Sequence, residues 1–253
     1  MPEERLTQEI DELAATNQEK IGEMLRGTHL EAFNDGLAPF AALDPVFGGF
    51  VSSLASGRVT RKKIHRVNET LKYLAHSLDD IKDKLNEDYI MSEDFEDLFD
   101  ETFQKVARER VEAKRKMYAW YLKGAITNIE ISYDEKLRFL NLIERLQPIH
   151  IMILNAFLIL PDEQPNKGSR RVSSSSIMAI LFDRLKGHSF TVDLLDDAVA
   201  ELIQVRLLQP ELDNGKLSNP MNLDKDLRPY ASSLGVRFME FLKIDSLLNA
   251  SPL

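Results

Sequence analysis

Seven apolar residues, Ile64, Val67, Leu71, Leu74, Leu78, Ile81 and Leu85, recur at alternating spacings of three and four. Only an α-helix of about 3.6 residues per turn brings such residues onto one stripe, so the spacing predicts a helix over 59–88. A stripe of this kind has to be buried against other helices. Two arrangements satisfy it, a place in an antiparallel bundle or the seam of a coiled-coil dimer. Three repeats are short for a coiled coil, which favours the bundle.

The neighbouring segments carry compatible signals. Ser92 followed by Glu93, Asp94, Glu96 and Asp97 reads as the start of a second long helix over 92–127. A hydroxyl caps the first free N–H groups, and acids suit the positive end of the helix dipole. Phe95, Phe99, Phe103, Val106, Ala113, Met117 and Trp120 form its apolar face, and Glu101–Lys105 and Glu112–Lys116 are favourable pairs one turn apart. "SYDE" at 132–135 is a capping box opening a third helix, 132–146. Pro148 fits the first turn of a fourth, 148–160, which Pro161 ends. Upstream, residues 3–26 read as a polar helix with a thin stripe of Leu6, Ile10, Leu13, Ile21 and Leu25.

Beyond a polar loop at 161–176, the predicted order is helix (174–186), turn, helix (191–205), hairpin, closing helix. This order resembles a winged helix-turn-helix. The residues that carry the likeness are "PIHIMILNAFLI", "SSIMAILFDRL", "VDLLDDAVAELIQVRLLQP" and "SLGVRFMEFL", with Ser233-Leu234-Gly235 as a closing-helix cap. The stretch 45–160 resembles an uncharacterised family of all-helical prokaryotic proteins. The likeness rests on "DPVFGGFVSSL", "RKKIHRVNETLKYLAHSL", "SEDFEDLFDETFQKVARERVEAKRKMYAWYLKGAI" and "SYDEKLRFLNLIERLQPIH". That resemblance implies a helical fold and, for some relatives, a phage-defence or mobile-element setting; it implies no activity. The expected fold is mainly α: an N-terminal helix and apolar entry segment (1–57), a helical bundle (58–146) and a winged-helix-like domain with a small β hairpin (147–253).

Charge narrows the choice of partner. The chain carries a net charge of −9 over 253 residues, an unfavourable balance for binding a polyanion unless charge is segregated. The helix in the groove-reading position holds Asp193, Asp196, Asp197 and Glu201, and no Lys or Arg lies between 187 and 205. Phosphates would be repelled there. The candidate nucleic-acid contacts are Lys167, Arg170 and Arg171 in the preceding loop, too few to outweigh the acids. "RRVS" at 170–173 looks like a basophilic kinase site but fits a polar linker meeting a helix cap.

From Gly36 to Gly57 the only charge is Asp44, and Arg58, Arg61, Lys62, Lys63 and Arg66 follow. The length suits a bilayer. The composition does not: Asp at a helix centre costs about 2.5–3.5 kcal/mol, against about 0.3–0.6 kcal/mol gained per Leu, Ile, Phe or Val. Pro39, Pro45 and four glycines add to the deficit. Core packing is expected, with a surface-lying membrane segment as the alternative. In that alternative Phe40, Phe47 and Phe50 insert while Arg58, Arg61, Lys62, Lys63 and Arg66 meet anionic lipid.

The chain has no cysteine, which removes disulfides and thiolate chemistry and suits a cytoplasmic location. The acidic start, "MPEERLTQEIDEL", is unlike a secretory signal. No phosphate-binding glycine loop, HExxH or GxSxG occurs. His65, Glu69, Lys72, His76 and Asp79 share a helical face, but Lys72 in its middle argues for a solvated surface rather than a metal site. His150 at a helix start reads as structural. Asp100, Glu101, Glu109 and Glu112 read as surface charges. No catalytic residue, cofactor or metal is assigned. The expected role is a non-enzymatic interaction or regulatory protein that presents helical faces to a protein partner or a second copy. The alternatives are a conditional membrane-acting effector using residues 36–66 and a DNA-binding regulator.

Overall fold

The computed structural model describes residues 61–78, 86–159, 176–186, 188–212 and 226–242. The expected helix 3–26, the entry segment and the loop at 161–176, except Ser176, lie outside them. The chain divides into two compact units, Met1–Leu140 and Asn141–Leu253.

In the first unit the seam helix is α1, Arg61–Leu78. Val67, Leu71, Leu74 and Leu78 are all buried, so the stripe is covered within its own chain. Ile81 and Leu85 lie outside the described residues. Next come a single turn, α2 (Glu87–Ile90), and the helices α3 (Glu93–Arg108) and α4 (Glu112–Thr127). Both α3 and α4 pack on α1 and on each other. Ser92 caps α3 by accepting the Phe95 N–H at 3.3 Å. Phe95, Phe99 and Phe103 form a column inside the unit, with successive ring centroids 5.9 and 4.6 Å apart.

The expected single helix over 92–127 is broken. Glu109 and Val111 are extended, which ends α3 and lets α4 start afresh. No Gly or Pro marks the break. The joint is held by groups far apart in sequence: the Arg66 guanidinium donates to the Ala107 and Arg108 carbonyls at 3.1 and 3.3 Å, satisfying the end of α3. The Glu109 carboxylate accepts the Val111 N–H at 2.8 Å. A straight helix of this length could not lay both halves of its apolar face on α1. The break lets Phe103 and Met117 both be buried.

Helix α5, Tyr133–Arg145, opens under Ser132, which accepts the Glu135 N–H at 3.3 Å, and it spans the division between the units. The second unit is organised on α6, Pro148–Leu158. Helices α7 (Ile177–Arg184), α8 (Val192–Gln204) and α9 (Ser233–Leu242) and a 3-10 turn at Arg228–Tyr230 all contact α6. Ser176 and Thr191 cap α7 and α8.

The expected β hairpin is absent among the described residues, which contain no strand. Leu208 and Ala231 form one isolated antiparallel bridge, with Gln209 N–H on the Tyr230 carbonyl at 2.8 Å and Ser232 N–H on the Leu207 carbonyl at 3.0 Å. The pairing cannot extend through Pro210, which has no N–H, and the chain turns into 3-10 geometry at Pro210–Leu212 and again at Arg228–Tyr230. Residues 213–225 lie outside the described residues. Gly235 explains why the chain closes tightly here: a Cβ at that position would lie 2.2 Å from the Leu207 carbonyl oxygen.

Candidate functional site

Three clusters of polar side chains stand out, two in the first unit and one in the second. The first is the end of the unit where α1 begins and the α3–α4 joint turns. Arg66 ties α1 to the joint. Arg115, itself buried, donates to the Arg110 carbonyl at 3.0 Å and to Glu69 at 2.9 Å. Tyr73 donates to Glu112 at 2.7 Å, and Lys116 pairs with Glu112 at 3.2 Å. The bonds from Tyr73 and Lys116 hold the Glu112 carboxyl below its usual range, and partial burial, with the bond to Glu112, pushes the Tyr73 phenol up to about 12. Of the sequence-predicted basic contacts, Lys62 is exposed and Lys63 and Arg66 are half-buried. Phe40, Phe47, Phe50, Arg58 and the Arg61 side chain lie outside the described residues. Arg108 and Arg110, which complete this basic end, were not legible as part of it. They sit more than forty positions from Lys62 in sequence, and only the unexpected helix break brings them there.

The second cluster surrounds Lys136 of α5, fully enclosed at 1% exposure. Its ammonium donates to the Tyr89 hydroxyl at 2.8 Å and lies 4.0 Å from the centre of the Tyr89 ring. Burial pulls the amine down to about 8, with Glu130 and Asp94 opposing. Burial also pushes the Tyr89 phenol up to about 12 and raises Tyr121. An amine titrating near neutrality is the usual starting point for a nucleophile. This one is closed to solvent, and what it does here is pin α2 to α5. A signal was available: Lys136 occupies the same apolar period as Phe139, Leu140 and Ile143, all buried.

The third is the outer face of α8. Val192, Asp193, Leu194, Asp196, Asp197 and Ala200 are exposed, while Leu195, Ala198, Val199 and Leu202 face inward. Near its end, Glu201 accepts from Arg145 at 3.4 Å and from His150 at 3.0 Å. His150 accepts the Gln147 N–H through Nδ1 at 2.8 Å, which leaves the ring proton on Nε2 for Glu201. Nδ1 thus closes the start of α6 itself, and Nε2 joins α6 to α8. Lys167, Arg170 and Arg171 lie outside the described residues.

The face with two histidines on α1 is dispersed by its neighbours. His65 lies 3.6 Å from Glu69, but Glu69 is engaged by Arg115, and His76 is exposed. No group of three or more metal-ligating side chains occurs among the described residues. None of the helices among them is long and apolar enough to cross a membrane. Asp100 is raised above its usual range by partial burial and by its neighbours Glu96 and Asp97. Compared with family models, with curated proteins and with solved structures, the chain matches none.

Proposed function

We propose that this protein is a non-enzymatic interaction module whose second unit, a winged-helix-like arrangement of α6 to α9, presents the outer face of α8 to a protein partner. The observation that carries this reading is the composition of that face: three aspartates interleaved with the exposed apolar side chains Val192 and Leu194. Acids at the position that would enter a DNA groove repel phosphate, and exposed apolar side chains have no use against a phosphate backbone. Against a protein surface the same residues provide an apolar centre and charged flanks. The order of helices supports the winged-helix-like reading, which here serves contact between proteins.

The test compares the intact protein with L194D and with D193K/D197K in affinity capture from native extract and in a duplex-DNA shift assay at low salt. One stoichiometric protein, retained by wild type and lost with both variants, supports the reading. Tight, salt-sensitive retention of wild type on random duplex would replace it with the DNA-binding alternative.

A further inference from the structure

Lys62 on α1 and Arg108 and Arg110 at the α3–α4 joint are exposed, and Lys63 is half-exposed. The bonds from Arg66 to Ala107 and Arg108 and from Arg115 to Arg110 and Glu69 bring these cations to one end. Of the acids close by, Glu69 is paired with Arg115 and Glu112 with Lys116, while Glu109 accepts the Val111 N–H and keeps its charge, so the cations outnumber the unpaired acids at this end. Among the described residues Lys62, Lys63, Arg108 and Arg110 have no carboxylate partner. Val111, next to Arg110, is 47% exposed at the start of α4.

We propose that this end docks on an anionic lipid surface, with Lys62, Lys63, Arg108 and Arg110 meeting the headgroups and Val111 entering the interface. Two further features favour lipid over another polyanion. An exposed valine among the cations gains from a bilayer boundary and gains nothing from a nucleic-acid backbone. In sequence, α1 is entered from the apolar run Gly36–Gly57, with Phe40, Phe47 and Phe50, which ends four residues before Arg61. The chain's net charge of −9 opposes a long polyanion at a distance. A local cluster of cations acts within about a Debye length of the surface, where that opposition is screened.

The test is co-sedimentation of the full chain with vesicles of phosphatidylcholine alone and of phosphatidylcholine containing about one-third phosphatidylserine, at low and at high salt. The expected result is binding to the anionic vesicles only, weakened by salt. R108S/R110S, whose side chains have no ion pair to lose among the described residues, should lower the partition coefficient about thirtyfold, each base near such a surface contributing about fivefold. R108K/R110K should keep most of the binding, and circular dichroism checks that the variants are folded. The proposal is overturned if wild type stays in the supernatant with anionic vesicles at low salt. It is equally overturned if R108S/R110S binds them as wild type does, or if a random duplex or polyglutamate displaces the vesicles and binds more tightly.

Discussion

Helix α1 of the first unit and helix α6 of the second differ in kind. Helix α1 is amphipathic: Val67, Leu71, Leu74 and Leu78 are buried, while His65, Lys72 and His76 are exposed. Helix α6 is enclosed on every side. Ile151 and Ile153 point nearly opposite ways on the helix, yet they are 1% and 0% exposed. Two helices, α3 and α4, cover one stripe of α1, whereas α7, α8, α9 and a 3-10 turn surround α6. A helix with a stripe announces its orientation in the sequence; a helix apolar all round announces only that it is central.

The largest expected effects test that contrast. Ile151→Ala and Ile153→Ala should each cost about 2–5 kcal/mol, because both faces of α6 leave cavities in packed surroundings. On α1, Leu74→Ala should cost a similar amount and His76→Ala less than about 0.5 kcal/mol. Urea unfolding of the four variants checks this; equal tolerance at Ile151 and His76 would remove the distinction.

Next in size is Gly235→Ala, where α9 passes the Leu207 carbonyl. A methyl group 2.2 Å from that oxygen cannot be accommodated without moving backbone, and a loss of about 2–3 kcal/mol is expected in thermal unfolding. No matching constraint by a glycine is seen on α1, which contains none.

Lys136 sharpens the comparison from the other side, as a charged group in the interior of the first unit. Its folded amine titrates at about 8, below the 10.5 of the free side chain. The folded state therefore holds fewer protons between these values, and this group makes stability rise as pH increases from 8 towards 10. The gain is bounded by about 3 kcal/mol. Above pH 10, Tyr73 and Tyr89, both pushed up to about 12, act in the opposite sense, because the folded state then holds protons that the unfolded chain loses. Lys136→Met should stabilise the protein by about 1–3 kcal/mol at pH 7 and flatten the rise between pH 8 and 10. A destabilised variant that still shows the rise would contradict the assignment.

The smallest effect concerns the two helix joints. Pro148 and the Gln147–His150 contact write the α5–α6 joint into a few consecutive residues. The α3–α4 joint depends on Arg66, about forty positions away. Arg66→Ala should cost about 1–2 kcal/mol and increase amide exchange at the start of α4. Unchanged exchange there would mean that the break is set by Glu109 and Val111 alone.

These cases show what the sequence could and could not convey. The seam of α1, the caps at Ser92 and Ser132, the pairs Glu101–Lys105 and Glu112–Lys116 and the proline start of α6 were legible, because each depends on residues within a turn or two. The break at 109–111 was not, because the guanidinium that holds it sits on another helix. The expected hairpin is not formed among the described residues: Leu207 and Leu208 are apolar and buried, but Pro210 stops the ladder after one bridge. Of the basic end, the run at 58–66 was visible, while Arg108 and Arg110 required the fold. The acidic face of α8 was visible outright, since its period follows from the helix itself.

The seam of α1 is covered by α3 and α4 of the same chain. The direct test is the urea midpoint of the intact protein over about a hundredfold range of protein concentration, since a shared seam links stability to association. A midpoint independent of concentration, with Leu74→Ala lowering it equally throughout, is the predicted result. A midpoint that climbs with concentration, steeply enough that Leu74→Ala matters only where copies associate, would place the seam between two chains and contradict the account.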